Sequence, residues 1–145
     1  MFFLVLKEDN IDDILKMAEV WYSDNLEKSN HWLEVEKESI RNVLKNYAFL
    51  GVKGGVLRVD GKIAAFTLGE IFGDTLYVHI EKANHEIAGS SEAINRMFVN
   101  DILTQHPELV YANREEDLGD PGLRQVKRAY NPVMMIQRYE MYKKQ

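Results

Sequence analysis

The stretch GGVLRVDGKIAAFTLGEIFGDTLYVHIEKAN, from Gly54 to Asn84, decides the fold. Asp60-Gly61 lies between two apolar runs, the pattern of a two-residue hairpin. Gly73-Asp74 marks a second turn and the run after it a third strand. Three strands in succession predict an antiparallel meander.

Outward from this core the pattern changes. GSSEAINRMFVNDILTQHP reads as a helix that starts near Ser90 or Ser91 and stops before Pro107. ELVYAN is a short strand. DPGLRQVKRAYNP is a helix with Asp120 as cap, Pro121 in the first turn and Asn131-Pro132 as stop. VMMIQRYEMY predicts a long final strand. Upstream, MFFLVL reads as a first strand. Asn10 caps a helix whose Ile11, Ile14, Leu15, Ala18, Trp21 and Tyr22 share one face. SDNLEKSN is a polar break, and a second amphipathic helix carries Leu33, Ile40, Val43, Leu44 and Tyr47. The order is β-α-α-β-β-β-α-β-α-β. The strand, helix and strand around 76–112 make a parallel crossover. The expected fold is therefore α/β (α+β): one domain over 1–145, a mixed sheet with helices on both faces.

Composition limits the chemistry. The chain has 145 residues, 46% of them hydrophobic and 28% charged, and no cysteine. Disulfides and thiolate nucleophiles are excluded, and a cytoplasmic location is the expectation that fits. No run is long enough to span a bilayer as a helix. The net charge of −5 disfavours nucleic acid as a partner. The charge is uneven: residues 111–145 hold 7 Lys and Arg against 5 Asp and Glu, and the rest of the chain is acidic. His31, His79, His85 and His106 are scattered without ligand spacing, so no metal site is expected.

Two stretches carry candidate chemistry. Strand alternation in LYVHIEKAN puts Tyr77, His79 and Glu81 on one face and Val78, Ile80 and Lys82 on the other. Glu81 is the first candidate base and His79 the second; the alternative is a half-buried histidine and a salt-bridge partner. NREED, from Asn113 to Asp117, follows the next parallel strand. Its end should open on the same sheet edge as EKAN, where ligands bind in open α/β sheets. Lys82, Asn84, Asn113, Arg114, Glu115 and Asp117 would then face one cleft. Lys82 and Arg114 would pair with Glu115, Glu116 or Asp117, either as a site or as an ion-paired brace. Arg124, Lys127, Arg128 and Asn131 form a basic stripe on the following helix, with Leu123, Val126 and Tyr130 on its buried side. The stripe suits a phosphate or simply solvent.

The element order resembles that of the GNAT superfamily of N-acyltransferases. GGVLRVDGKIAAFTLGE, HIEKAN, NREEDLGDPGLRQVKRAYNP and the closing RYEMY are more specific. They resemble the C-terminal domain of bacterial phosphatidylglycerol lysyltransferases, above all its short stand-alone relatives, over roughly residues 10–142. In that family two GNAT-like halves stand in tandem, and this chain is similar to the second. The resemblance implies acyl or aminoacyl transfer to an amine or hydroxyl, with Tyr130 at the place of a general acid. It implies acetyl-CoA, another acyl-CoA or an aminoacyl-tRNA as donor. In acetyl-CoA enzymes of the superfamily the pyrophosphate sits at the N-terminus of the third helix, here Gly89, Ser90 and Ser91, which Glu86 and Glu92 flank. The sequence departs from the family there, with Ser91 and Glu92 in place of an aromatic residue and Gln. The alternative is a non-catalytic half that docks a tandem partner or a second copy of itself.

Overall fold

A computed structural model of the chain describes residues 1–25, 31–139 and 141–143. The elements are β1 (Phe2–Val5), α1 (Glu8–Asp24), α2 (His31–Lys45), α3 (Tyr47–Leu50), β2 (Lys53–Val59), β3 (Lys62–Phe72), β4 (Thr75–Ala83), α4 (Ser90–Gln105), β5 (Tyr111–Asn113) and α5 (Pro121–Ala129). Residues 26–30 of the expected polar break lie outside the described residues. The sheet runs β1-β2-β3-β4-β5 in sequence order. It is antiparallel through β4 and parallel between β4 and β5. Meander and crossover are both as the sequence predicts.

Local chemistry explains the turns and caps. Asp60 and Gly61 take φ of 49° and 78°, the positive values that a tight hairpin of this kind demands. Asp120 caps α5 by accepting from the Leu123 N–H at 2.8 Å. Asn10 is not the cap of α1. The helix begins a turn earlier, because the amide of Asn10 works in both directions. Its Oδ1 accepts from the Lys7 N–H at 3.0 Å, and its Nδ2 donates to the Val5 carbonyl at 3.0 Å.

Each face of the sheet is covered. On one, Ile14, Ala18 and Tyr22 of α1 and Ile40 and Leu44 of α2 pack with Val56, Phe66 and Leu68. On the other, Ile94 of α4 meets Leu57, Ala65 and Ala83, and Phe98 and Ile102 meet Leu76 and Val78.

Two departures from simple alternation matter. Leu68 faces Ile80 and Gly69 faces Val78, so His79 is the extra residue of a β-bulge in β4. β5 is only three residues long, and it pairs Tyr111, Ala112 and Asn113 with Thr75, Leu76 and Tyr77. Gly69 stands at the bulge, where a Cβ would come within 2.4 Å of the Tyr77 carbonyl oxygen. Gly69→Ala is therefore expected to destabilise the chain by about 1–3 kcal/mol, the usual cost of overpacking. A thermal melt checks it, and an unchanged Tm contradicts it.

The chain divides into two compact units, Met1–Asn113 and Arg114–Gln145. The first holds the sheet and every buried residue among those described. The second contains α5 and no strand among its described residues. The long final strand predicted from VMMIQRYEMY is not formed there. Alternation alone does not make a strand, which exists only through a ladder to a neighbour. Val133, Met134, Met135 and Ile136 are instead exposed. The expected buried side of α5 is also open, with Leu123, Val126 and Tyr130 all exposed.

Candidate functional site

The bulge at His79 reassigns the faces of β4. Alternation predicts Glu81 beside His79, but the extra residue inverts the pattern beyond it. His79 turns to Glu70, with Nε2 at 3.0 Å from Oε1. Glu81 lies on the α4 side. Its carboxylate accepts from Asn95 Nδ2 at 3.0 Å and Ser91 Oγ at 3.4 Å. Ser91 and Asn95 are four residues apart, which puts both on one face of the helix. A carboxylate at the first turn of α4 also meets the positive end of the helix dipole. The two candidate bases are thus on opposite faces of the strand.

The ends of the parallel strands are not level. Asn113 is paired with Tyr77, while β4 continues beside β3 as far as Ala83. β4 and β5 run parallel, so their C-terminal ends point the same way but lie at different heights along the sheet. The short β5 ends first, and β4 runs on past it from Val78. Beyond Tyr77 the β5 side of β4 has no strand neighbour among the described residues.

The serines at the start of α4 are committed elsewhere. Ser90 is buried, and its hydroxyl donates to the Asn84 carbonyl at 3.0 Å. The Ser91 hydroxyl donates to Glu81. Asn84 closes a turn, with its Oδ1 accepting from the Glu86 N–H at 2.9 Å. Gly89 caps the helix at φ 75°. The two serine hydroxyls are thus spent on the chain itself, and Glu81 and Glu92 place negative charge beside the expected anion cradle of Gly89, Ser90 and Ser91.

Lys82, expected to pair with Glu115, Glu116 or Asp117, pairs within the first unit. Its Nζ lies 2.6 Å from Glu36 Oε1 on α2. It also stands 4.2 Å above the Trp21 ring and 5.5 Å from the Tyr22 ring, both on α1. The Tyr22 hydroxyl donates to the same Glu36 carboxylate. Burial, and then this carboxylate, push the Tyr22 phenol well above its ordinary pKa. The Trp21 Nε1–H is buried and meets no acceptor among the described residues. An orphan donor of this kind costs roughly 1–3 kcal/mol. Sequence reasoning missed Glu36 and the Trp21–Tyr22 pair. β4 is far from α1 and α2 in the chain, and the two aromatics read as an ordinary apolar helix face.

Within the second unit the polar run is a brace. Arg124 pairs with Asp117 through Nε at 2.5 Å and Nη2 at 3.2 Å. Lys127 Nζ donates to the carbonyls of Arg114 and Glu116, the latter at 2.6 Å. Arg138 pairs with Glu116, and the Arg114 guanidinium lies 4.4 Å over the Tyr130 ring. Glu115 and Leu118 take positive φ of 58° and 52° to make the turns. Two cations of the expected stripe thus hold the chain's own loop.

The Arg124 hydrogen bond, aided by the Gly119 N–H, lowers the Asp117 pKa to about 2 from an ordinary 3.8. A depressed carboxylate stabilises the fold fully above its unfolded pKa and loses that effect as pH falls through the folded one. The brace is therefore expected to hold at neutral pH and loosen between about pH 4 and 2. Carbon NMR of the Asp117 carboxyl checks this, and a midpoint near 3.8 contradicts it.

With this geometry established, the comparisons are informative. The family model described as Phosphatidylglycerol lysyltransferase, C-terminal, matches residues 4–142. A conserved protein of unknown function from Bacteroides thetaiotaomicron VPI-5482 is 36% identical over 92% of this chain and superimposes with a TM-score of 0.86. The match covers 45% of that protein, so the chain spans about half the length of this relative. The ribosomal-protein-alanine N-acetyltransferase from Brucella melitensis biovar Abortus 2308 shares 10% identity over 99% of this chain and 100% of its own, with a TM-score of 0.69. A predicted acetyltransferase with acetyl-CoA from Clostridium acetobutylicum shares 13% over 97% and 95%, with a TM-score of 0.65. At such identities the likeness establishes the GNAT fold and nothing finer. No curated protein matches. No helix among the described residues is long and apolar enough to cross a membrane.

Proposed function

The chain belongs to the phosphatidylglycerol lysyltransferase C-terminal family, and we propose that it transfers an acyl or aminoacyl group to an amine or hydroxyl. The observation that carries this is the parting of the parallel strands. β4 and β5 pair over three residues, after which β4 bulges at His79 and continues alone on that side toward Glu81.

In the proposed reaction the acceptor's nitrogen or oxygen lone pair attacks the carbonyl carbon of the donor. Strand-edge N–H groups of β4 hold the oxyanion that forms. Glu81 takes the proton that the acceptor loses. The carbonyl then re-forms as the bond to the leaving group breaks, and the leaving group is protonated as it departs. Asn95 and Ser91 fix the carboxylate for this work. His79, held by Glu70, serves the other face of the strand. Tyr130 is offered as the acid only by the family resemblance.

The donor is a substrate, either a thioester or an ester. The acidic start of α4 weakens the case for a CoA pyrophosphate, and an aminoacyl ester is the other donor the family implies. The test incubates the chain with labelled acetyl-CoA or labelled aminoacyl-tRNA and a mixture of primary amines and alcohols. Label in an amide or ester product that depends on the chain supports the proposal. Hydrolysis alone, or no product from either donor, overturns it.

A further inference from the structure

The Lys82 cluster serves no step above, yet it has the composition of a ligand site. One carboxylate, Glu36, and two ring faces, Trp21 and Tyr22, surround a single ammonium. The rings meet edge to face, with centroids 5.1 Å apart and planes at 81°. The Tyr22 hydroxyl fixes the carboxylate. Carboxylate and aromatic faces together select a desolvated cation. The cation present is the chain's own, at the end of a flexible stem.

The occupant is also an incomplete fit. The Trp21 Nε1–H is buried without an acceptor among the described residues. A lysine ammonium is a donor only, so Lys82 cannot satisfy it. A molecule with an ammonium and an oxygen close to it offers both the charge that Glu36 and the ring faces select and the acceptor that the indole N–H lacks.

We infer that Trp21, Tyr22 and Glu36 form a seat for a primary ammonium that carries a neighbouring hydrogen-bond acceptor, and that Lys82 fills this seat when no ligand is bound. An ammonium held in this way has no lone pair to offer, so the seat anchors the charged end of a substrate rather than its reacting group. This use rests on the transfer reaction proposed above. Occupancy is measured without turnover, so failure of the seat and failure of the transferase are told apart.

The probe is 2-aminoethanol, with propylamine, which lacks the oxygen, as its comparison. Self-occupancy lowers the fraction of chains competent to bind, so Lys82→Ala is expected to bind 2-aminoethanol about tenfold or more tighter than the unmodified chain. The Trp21 indole resonance should shift on binding, and propylamine should bind more weakly. Adding Glu36→Gln to Lys82→Ala should abolish the gain. Should the alanine variant lose its cooperative melt, Lys82→Gln keeps the stem without the charge and is expected to show the same gain. No gain in a folded Lys82 variant, or a gain that survives Glu36→Gln, overturns the inference.

Discussion

Glu81→Gln is expected to lower the transfer rate by roughly 10²- to 10⁴-fold, the usual contribution of a positioned general base, while the chain stays folded. The substitution keeps the shape of the side chain and an oxygen that accepts from Asn95. It removes the charge that takes the proton. Glu81 is half-buried against α4, so the contacts that seat it are the ones that hold β4 to the helix. A pure tether predicts the opposite pattern, with a lower melting temperature and an unchanged rate. Measuring both in the same variant decides between the roles.

Phe98→Ala should have the largest effect on stability. Phe98 is fully buried and packs with Leu76, Val78, Ile102 and Leu109. Truncating a buried phenylalanine costs about 3–5 kcal/mol. For a chain of this size each kcal/mol lowers Tm by roughly 2–4 °C. Leu76 and Val78 belong to the part of β4 just before the bulge, so the cavity opens beneath the strand that positions Glu81. A loss of transfer activity in a still-folded fraction is expected as well. A fall in Tm of only a degree would mean that α4 does not hold this part of the sheet.

Much of this architecture was legible in the sequence, because local chemistry dictates it. Asp60-Gly61 specified its hairpin, Asp120 its cap, and the apolar periods of α1 and α2 their buried faces. The bulge was not legible. Val78, His79 and Ile80 read as plain alternation, and only the ladder to Gly69 shows that His79 is extra. One inserted residue moved Glu81 to the other face. The register of β5 was hidden for the same reason: a three-residue strand can pair anywhere along its neighbour. The final strand was overestimated because apolar alternation does not supply a partner. Of the polar run from Asn113 to Asp117, suspected both as site and as brace, Glu116 and Asp117 are ion-paired within the second unit. The seat around Lys82 depends on side chains from α1, α2 and β4, which no local pattern could bring together.

The measurement that bears most directly on the account is an amide NMR titration of the chain with an acyl donor, using acetyl-CoA and an aminoacyl ester of adenosine in turn. The account predicts saturable shifts concentrated on Tyr77 to Glu81, where β4 parts from β5, with at least one of the two donors. Binding that leaves those amides unmoved, or no binding by either donor, would contradict it.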